Sequence, residues 1–285
     1  LNAYLELTKP RITVFILMST AIGFMCGSHV GAHWSLITLL NTLVGTALIA
    51  SGTAALNQWY ERDADSKMNR TKGRPIPSGR LTERRAFVFG LVLSTAGFIQ
   101  LVLGANLLTG LLGLFTMASY LLVYTPLKQR SPVSTTIGAI PGAMPPLIGY
   151  AAAAGVLNAE AWVLYAILFL WQFPHFYAIA WMYREDYARA GIRMLPVVQP
   201  DGESTARRMW LFSIALIPIS ILPKYFGGAG NWYVAGAIAL GLMFLWSGVR
   251  ASLGLTRTRA RQVLLASVVY LPLLYGLLVL DHRGF

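Results

Sequence analysis

The sequence divides into nine apolar runs of about twenty residues, and its positive charge falls almost wholly in alternate gaps between them. The runs cover about 12–30, 35–57, 85–103, 106–124, 133–153, 161–182, 208–226, 231–249 and 262–280. Crossing a hydrocarbon layer about 30 Å thick takes roughly twenty apolar helical residues, so each run is long enough. Of 23 lysines and arginines, all but Lys224 and Arg283 lie in connections that would share one membrane face. Lysine and arginine accumulate in cytoplasmic connections, so the split of 21 to 2 predicts a cytoplasmic N-terminus and an outside C-terminus. One missed or invented span would scramble that asymmetry. The expected fold is all-α: a polytopic membrane helical bundle of nine transmembrane helices, one domain over residues 1–285. Composition agrees, because only 12% of residues are charged where a soluble domain carries about a quarter.

The net charge of +12 could suggest nucleic acid. Its placement on one side of the apolar runs points to lipid instead, so membrane lipid is expected as a partner and nucleic acid is not. Glu6, Lys9 and Pro10 precede any long apolar run, so no cleavable signal peptide is expected. The chain opens on Leu1, which leaves room for a preceding piece. Cys26 is the single cysteine, which excludes an intrachain disulfide and a cysteine metal cage; it reads as a small apolar residue in a helix.

Two connections on the basic face are long, roughly 58–84 and 183–207, and they hold most of the acidic residues. In the first, Asn57, Glu61 and Asp65 are spaced i, i+4, i+8. At about 100° per residue they drift only about 80°, so one helix face can carry all three. Such oxygen donors suit Mg²⁺ or another hard divalent cation. Asp63 lies about 200° from Glu61 and is expected to point away. Lys67, Arg70, Lys72 and Arg74 follow. Arg70 and Arg74, taken as one helical turn apart, could fork onto diphosphate oxygens, with Lys67 and Lys72 adding point charge. Lys128 and Arg130 fall on the same membrane face. Acids for a metal beside bases for an anion are the parts of a metal–diphosphate site. The competing reading, a solvated loop whose acids pair with nearby bases, explains the charges but not the spacing. Lys9 and Arg11, and in the same competing sense Lys128 and Arg130, read as membrane-edge anchors.

The second long connection is entered through Gln172 and His175. If the helix survives Pro174, Gln172, His175 and Asp186 line one stripe, with Asp186 about 16 Å along the axis from His175. A histidine and an amide in a membrane helix mark a cavity by default, and an interhelical hydrogen bond is the alternative for His175. His29, His33 and His282 fall in outer loops and are expected to be inert. The fifth run is punctuated by Gly138, Pro141, Gly142, Pro145, Pro146 and Gly149. It is either a kinked packing helix or the lining of a wet cavity.

The motif Asn57-x₃-Glu61-x₃-Asp65-x₂-Met68-x-Arg70-Thr71-x₂-Arg74-Pro75 resembles the signature of the UbiA superfamily of intramembrane prenyltransferases. Companion stretches resemble its heme-modifying branch. They are Thr8-Lys9-Pro10-Arg11, Tyr124-Thr125-Pro126-Leu127-Lys128, the proline-rich stretch 138–149, Trp171-Gln172-x-Pro174-His175-Phe176 and Asp186-Tyr187 through Pro196. The resemblance runs over about residues 5–200. The superfamily's second acidic motif has two aspartates four apart, whereas here Tyr183 and Tyr187 stand at those positions with Glu185 and Asp186 between. Asp186 is therefore expected to be the main second-motif ligand, with Glu185 in reserve.

The resemblance implies farnesyl diphosphate and heme B as substrates, joined at a heme vinyl group to give heme O. It implies catalytic and metal-holding roles for Asn57, Glu61, Asp65 and Asp186. Arg70, Lys72, Arg74, Lys128 and Arg130 would bind diphosphate, and His175 and Gln172 would bind heme. Downstream, heme A synthase or terminal-oxidase assembly is the implied partner, and a bacterial-type inner membrane with a cytoplasm-facing site is the implied location. A prenyltransferase for an aromatic quinone precursor or a chlorin is the nearest rival. A membrane transporter is the rival from another class, though its site would lie at the bilayer midplane rather than at one face.

Overall fold

The computed structural model describes residues 2–30 and 35–282, so His33, Arg283 and Leu1 lie outside the described residues. Nine helices in it are long and apolar enough to cross a membrane. They are α1 (Pro10–Gly27), α2 (Leu36–Tyr60), α3 (Glu83–Gly104), α4 (Leu107–Leu127), α5 (Ser134–Ala154), α6 (Ala159–Met182), α7 (Glu203–Phe226), α8 (Asn231–Ser252) and α9 (Arg257–Leu280). No strand forms among the described residues.

Helix starts follow from capping chemistry. Ser35, Thr82, Asn106, Asn158 and Thr256 each accept a backbone N–H from the first turn of α2, α3, α4, α6 and α9. An N-terminal turn has free N–H groups, and a short oxygen-bearing side chain satisfies one of them. The Thr256 cap also explains why α9 begins about five residues before its apolar run, and α7 begins equally early, the Glu203 N–H donating to Asp201 Oδ1 at 3.0 Å. Their first turns carry charged residues, which hydropathy does not count but a cap does.

The chain forms two compact units, Leu1–Leu157 with Asp186–Ile192, and Asn158–Glu185 with Arg193–Phe285. In the first unit α2 and α3 form a close antiparallel pair. Gly45 and Gly52 meet Gly97 and Gly90, seven residues apart on each helix. A Cβ on Gly52 would stand 2.6 Å from the Gly90 carbonyl oxygen, and one on Gly97 2.8 Å from that of Gly45. Where lipid is as apolar as leucine, packing of this kind is what holds helices together. Helix α1 packs against the second half of α5.

Two irregular segments lie in the same unit. Helix α5 breaks at Ala143 and Met144, between Ser134–Gly142 and Pro145–Ala154, and it is the most deeply buried of the nine. Helix α4 widens to a π-helix over Ser119–Tyr124 just before Pro126. Proline lacks an N–H and its ring crowds the carbonyl four residues back. The wider turn accommodates it, and the Thr125 hydroxyl donates to the Tyr120 carbonyl at 2.8 Å.

Several buried polar groups of the second unit are paired. The Tyr233 hydroxyl donates to the Ser220 carbonyl at 2.7 Å, Ser220 and Tyr270 share a hydroxyl bond of 2.7 Å, and Arg208 donates to the Tyr177 hydroxyl at 3.0 Å. His282, expected to be inert, stands 3.7 Å from the buried carboxylate of Glu160.

Candidate active site

The acidic ladder stays in helical register across the end of α2. Glu61 leaves helical geometry, yet its N–H still donates to the Asn57 carbonyl at 2.9 Å. The Asp65 N–H then donates to the Glu61 carbonyl at 2.8 Å, and a short helix, Arg62–Ser66, carries the turn onward. Asn57 and Asp65 are buried, while Asp63 is exposed. Asp65 is 0% exposed.

Each rung meets a base or a hydroxyl from elsewhere in the first unit. Lys9 Nζ donates to Asn57 Oδ1 at 3.3 Å, and Asn57 Nδ2 donates to the Thr125 hydroxyl at 3.2 Å. Lys128 Nζ lies 2.8 Å from Glu61 Oε1. Arg74 lies 2.6 Å from Asp65 Oδ2, and Asp65 Oδ1 is buried without a hydrogen-bond partner. The ring faces of Tyr120 and Tyr124 flank the Lys128 ammonium at 6.0 and 4.5 Å. The π turn before Pro126 thus delivers Thr125 and Lys128 to two successive rungs.

The protonation of the cluster reflects burial against pairing. Burial pushes the Glu61 carboxyl up, but Lys128, Lys9 and Arg74 together hold it below its ordinary value. For Asp65 burial wins over Arg74, and its carboxyl is raised. Burial opposes the charge on Lys128, yet Glu61 and the two tyrosines keep it well above the ordinary lysine range. Lys9 is lowered to about 7 by burial, then by Arg74 and Lys128, with Glu61 and Asp65 only partly offsetting them. Lys9 also holds the single positive φ among described non-glycine residues, 48°, at the entry to α1. Sequence reasoning took it for an anchor. Its contact spans 48 residues of sequence and no local spacing announces it.

The remaining expected residues fall outside this cluster. Residues 67–82 form successive turns rather than a helix, so Arg70 and Arg74 are not one helical turn apart. Arg70 is exposed and donates to the Tyr187 hydroxyl at 3.3 Å. Lys72 is exposed and donates to Asn69, and Arg130 is exposed. Asp186 is buried, and its oxygens already have donors: the backbone N–H groups of Asn69 and Arg70, both at 3.3 Å, and the side chain of Arg189. Glu185 is exposed.

In the second unit α6 does run through Pro174, but it ends at Met182 and Tyr183 leaves helical geometry. The rotation count from His175 to Asp186 therefore does not hold, because the short helix Arg184–Arg189 starts afresh. His175 bonds Ser267 of α9 and stacks on Trp171, and Gln172 donates to the Leu168 carbonyl at 3.1 Å.

Comparison with known proteins adds to this geometry. The profile of the UbiA prenyltransferase family matches residues 16–278. The chain is 62% identical over 288 residues to a protoheme IX farnesyltransferase of Solibacter usitatus, covering 99% of each protein. It is 46% identical over 290 residues to one from Koribacter versatilis, covering 99% of this chain and 94% of the relative. Among solved structures, a UbiA homolog from Aeropyrum pernix K1 superposes with a TM-score of 0.75 at 18% identity, covering 94% of this chain and 98% of that one. A UbiA homolog from Archaeoglobus fulgidus bound to GPP and Mg²⁺ gives 0.70 at 17% identity, covering 97% and 99%. At such identities the structures speak to the fold alone.

Proposed function

The chain belongs to the UbiA prenyltransferase family, and on that footing we propose that it moves the farnesyl group of farnesyl diphosphate onto a vinyl group of heme B, making heme O and releasing diphosphate. One observation carries the chemistry: the buried ladder of Asn57, Glu61 and Asp65 interlocked with Lys9, Arg74 and Lys128. The acceptor rests on the relatives, whose full-length matches are named for heme. The same naming disfavours a quinone precursor or chlorin, and membership of an enzyme family removes the transporter reading.

The donor set fits a divalent cation such as Mg²⁺. It is all oxygen, and Asp65 Oδ1 is a buried carboxylate oxygen with no partner. Asn57, Glu61 and Asp65 would hold the ion, and Asp186 would join by releasing the half-exposed Arg189. When bound, the ion supplies positive charge that offsets the charge developing on diphosphate as the allylic C–O bond ionises. The chain's own bases would meet the diphosphate: Arg74 and Lys128 in the cluster, with Lys9 beside them. Arg70, Lys72 and Arg130 stand exposed and would serve as outer contacts. Fixed charges in a water-poor site are worth more than the same charges in water. Water adds to the cation left on the heme side chain and loses a proton, which leaves a hydroxyl. His175 and Gln172 would hold the heme, histidine being a usual iron ligand.

The cation asymmetry supports a site facing the cytoplasm from a bacterial-type inner membrane. Heme A synthase or an oxidase-assembly factor would take the product onward. The test is to incubate purified protein with hemin, farnesyl diphosphate and Mg²⁺, beside parallel reactions offering a 4-hydroxybenzoate or chlorin acceptor. A heme bearing farnesyl plus a hydroxyl, identified by mass, is the expected product. Prenylation of another acceptor with heme untouched would overturn the reading.

A further inference from the structure

Trp171 and His175 lie one turn apart on α6, and both reach one residue of α9. The Trp171 indole N–H donates to the Ser267 carbonyl at 2.8 Å. His175 Nδ1 lies 2.8 Å from the Ser267 hydroxyl oxygen. The two rings stack, centroids 4.8 Å apart and planes 25° apart. Ser267 is fully buried, so no bulk water competes for these bonds.

Counting protons at Ser267 fixes the direction of the histidine bond. A serine hydroxyl has one proton and two lone pairs. Its oxygen is 2.6 Å from the Leu264 carbonyl, which can only accept, so the proton goes there. Nδ1–H of His175 must then donate to a lone pair on Ser267. A neutral imidazole with its proton on Nδ1 has a bare lone pair on Nε2, the form that ligates a metal. Among the described residues, His175 makes its hydrogen bond through Nδ1 and none through Nε2.

We propose that Ser267 is a positioning residue for the substrate: it holds His175 in the Nδ1–H tautomer, with Trp171 fixing the ring plane, so that Nε2 is presented to the heme iron. This rests on the heme-binding role given to His175. Groups that hold the second nitrogen of a metal-bound histidine set its orientation and basicity, and their loss weakens metal affinity about 10- to 100-fold.

The test is hemin titration of the purified full chain, reading affinity, the absorption spectrum and the iron reduction potential. Ser267→Ala is expected to weaken hemin binding about tenfold or more and raise the reduction potential, because the imidazole loses the acceptor that makes it electron-rich. Ser213→Ala, a buried α7 serine bonded to the Met209 carbonyl, should leave all three readings at wild type. His175→Ala should abolish the histidine-ligated spectrum. An unchanged spectrum in His175→Ala would sink the underlying heme assignment. Loss in His175→Ala with wild-type affinity and potential in Ser267→Ala would sink only the role of Ser267. If Ser267→Ala does not fold, His175→Gly supplied with free imidazole or 1-methylimidazole decides. Imidazole can donate to Ser267 and should restore the spectrum at lower concentration, and equal rescue by both would overturn the proposal.

Discussion

At the residue scale, the site is a set of buried charges that hold one another. Asp65 lies inside the cluster with Arg74 on one oxygen, so truncation to alanine would also strand the arginine. Asp65→Asn keeps the shape and an acceptor for Arg74 while removing the charge a cation needs. It is expected to lower turnover about 100-fold with little change in melting temperature. Near-normal product formation at saturating farnesyl diphosphate and Mg²⁺ would remove Asp65 from the ligand set. Arg74→Lys keeps the charge but loses the planar fork, so use of farnesyl diphosphate should fall at least about tenfold, whereas Arg257→Lys at the first turn of α9 should be silent. Steady-state kinetics on both variants makes the comparison, and equal effects would reduce the first loop's arginines to membrane anchors. The ladder was legible because i, i+4, i+8 is a local signal. Lys9, Thr125 and Ser267 were not, since their contacts exist only after distant helices pack.

At the element scale, the helices themselves were legible from length and apolarity, and their ends were not. Thr256 caps α9, and Asp201 meets the first N–H of α7, each ahead of its greasy run. A turn at Tyr183 stops α6 short of Asp186 and defeats a rotation count that assumed one rod. Periodicity fixes angles inside an element and says nothing across a break. The α2–α3 contact gives a prediction of its own. Gly52→Leu puts a side chain where the Gly90 carbonyl already stands and should destabilise the fold by about 1–3 kcal/mol or more. Gly276→Ala in α9, where an added Cβ would meet no packing neighbour within 4 Å among the described residues, should be neutral. Thermal unfolding in detergent compares the two. A Gly52→Leu protein as stable as wild type would mean that the helices can part without cost.

At the scale of the whole molecule, the nine spans and the all-helical class could be read directly from the runs, and the broken fifth span was visible in its prolines. Orientation rests on the charge split alone. A reporter fused at the C-terminus is expected to read as external and one inserted at Gln129 as cytoplasmic. A cytoplasmic reading at the C-terminus would mean that one span does not cross, and α5, interrupted at Ala143, is the first to suspect.

The mutual pairing of the ladder bears on which solutes the site ignores. A cell holds abundant inorganic phosphate and abundant free magnesium. An anion arriving alone would draw Arg74 and Lys128 away and leave Asp65 and Glu61 as bare buried charges, a cost of about 3–5 kcal/mol for each broken pair. A cation arriving alone would strand the bases in the same way. Only a visitor that brings both signs replaces every partner it removes. With the ladder as the proposed metal–diphosphate site, the resting ion pairs would act as a filter against the commonest ions around them. Calorimetry should find weak binding of Mg²⁺ or diphosphate separately and at least about tenfold tighter binding of each in the presence of the other.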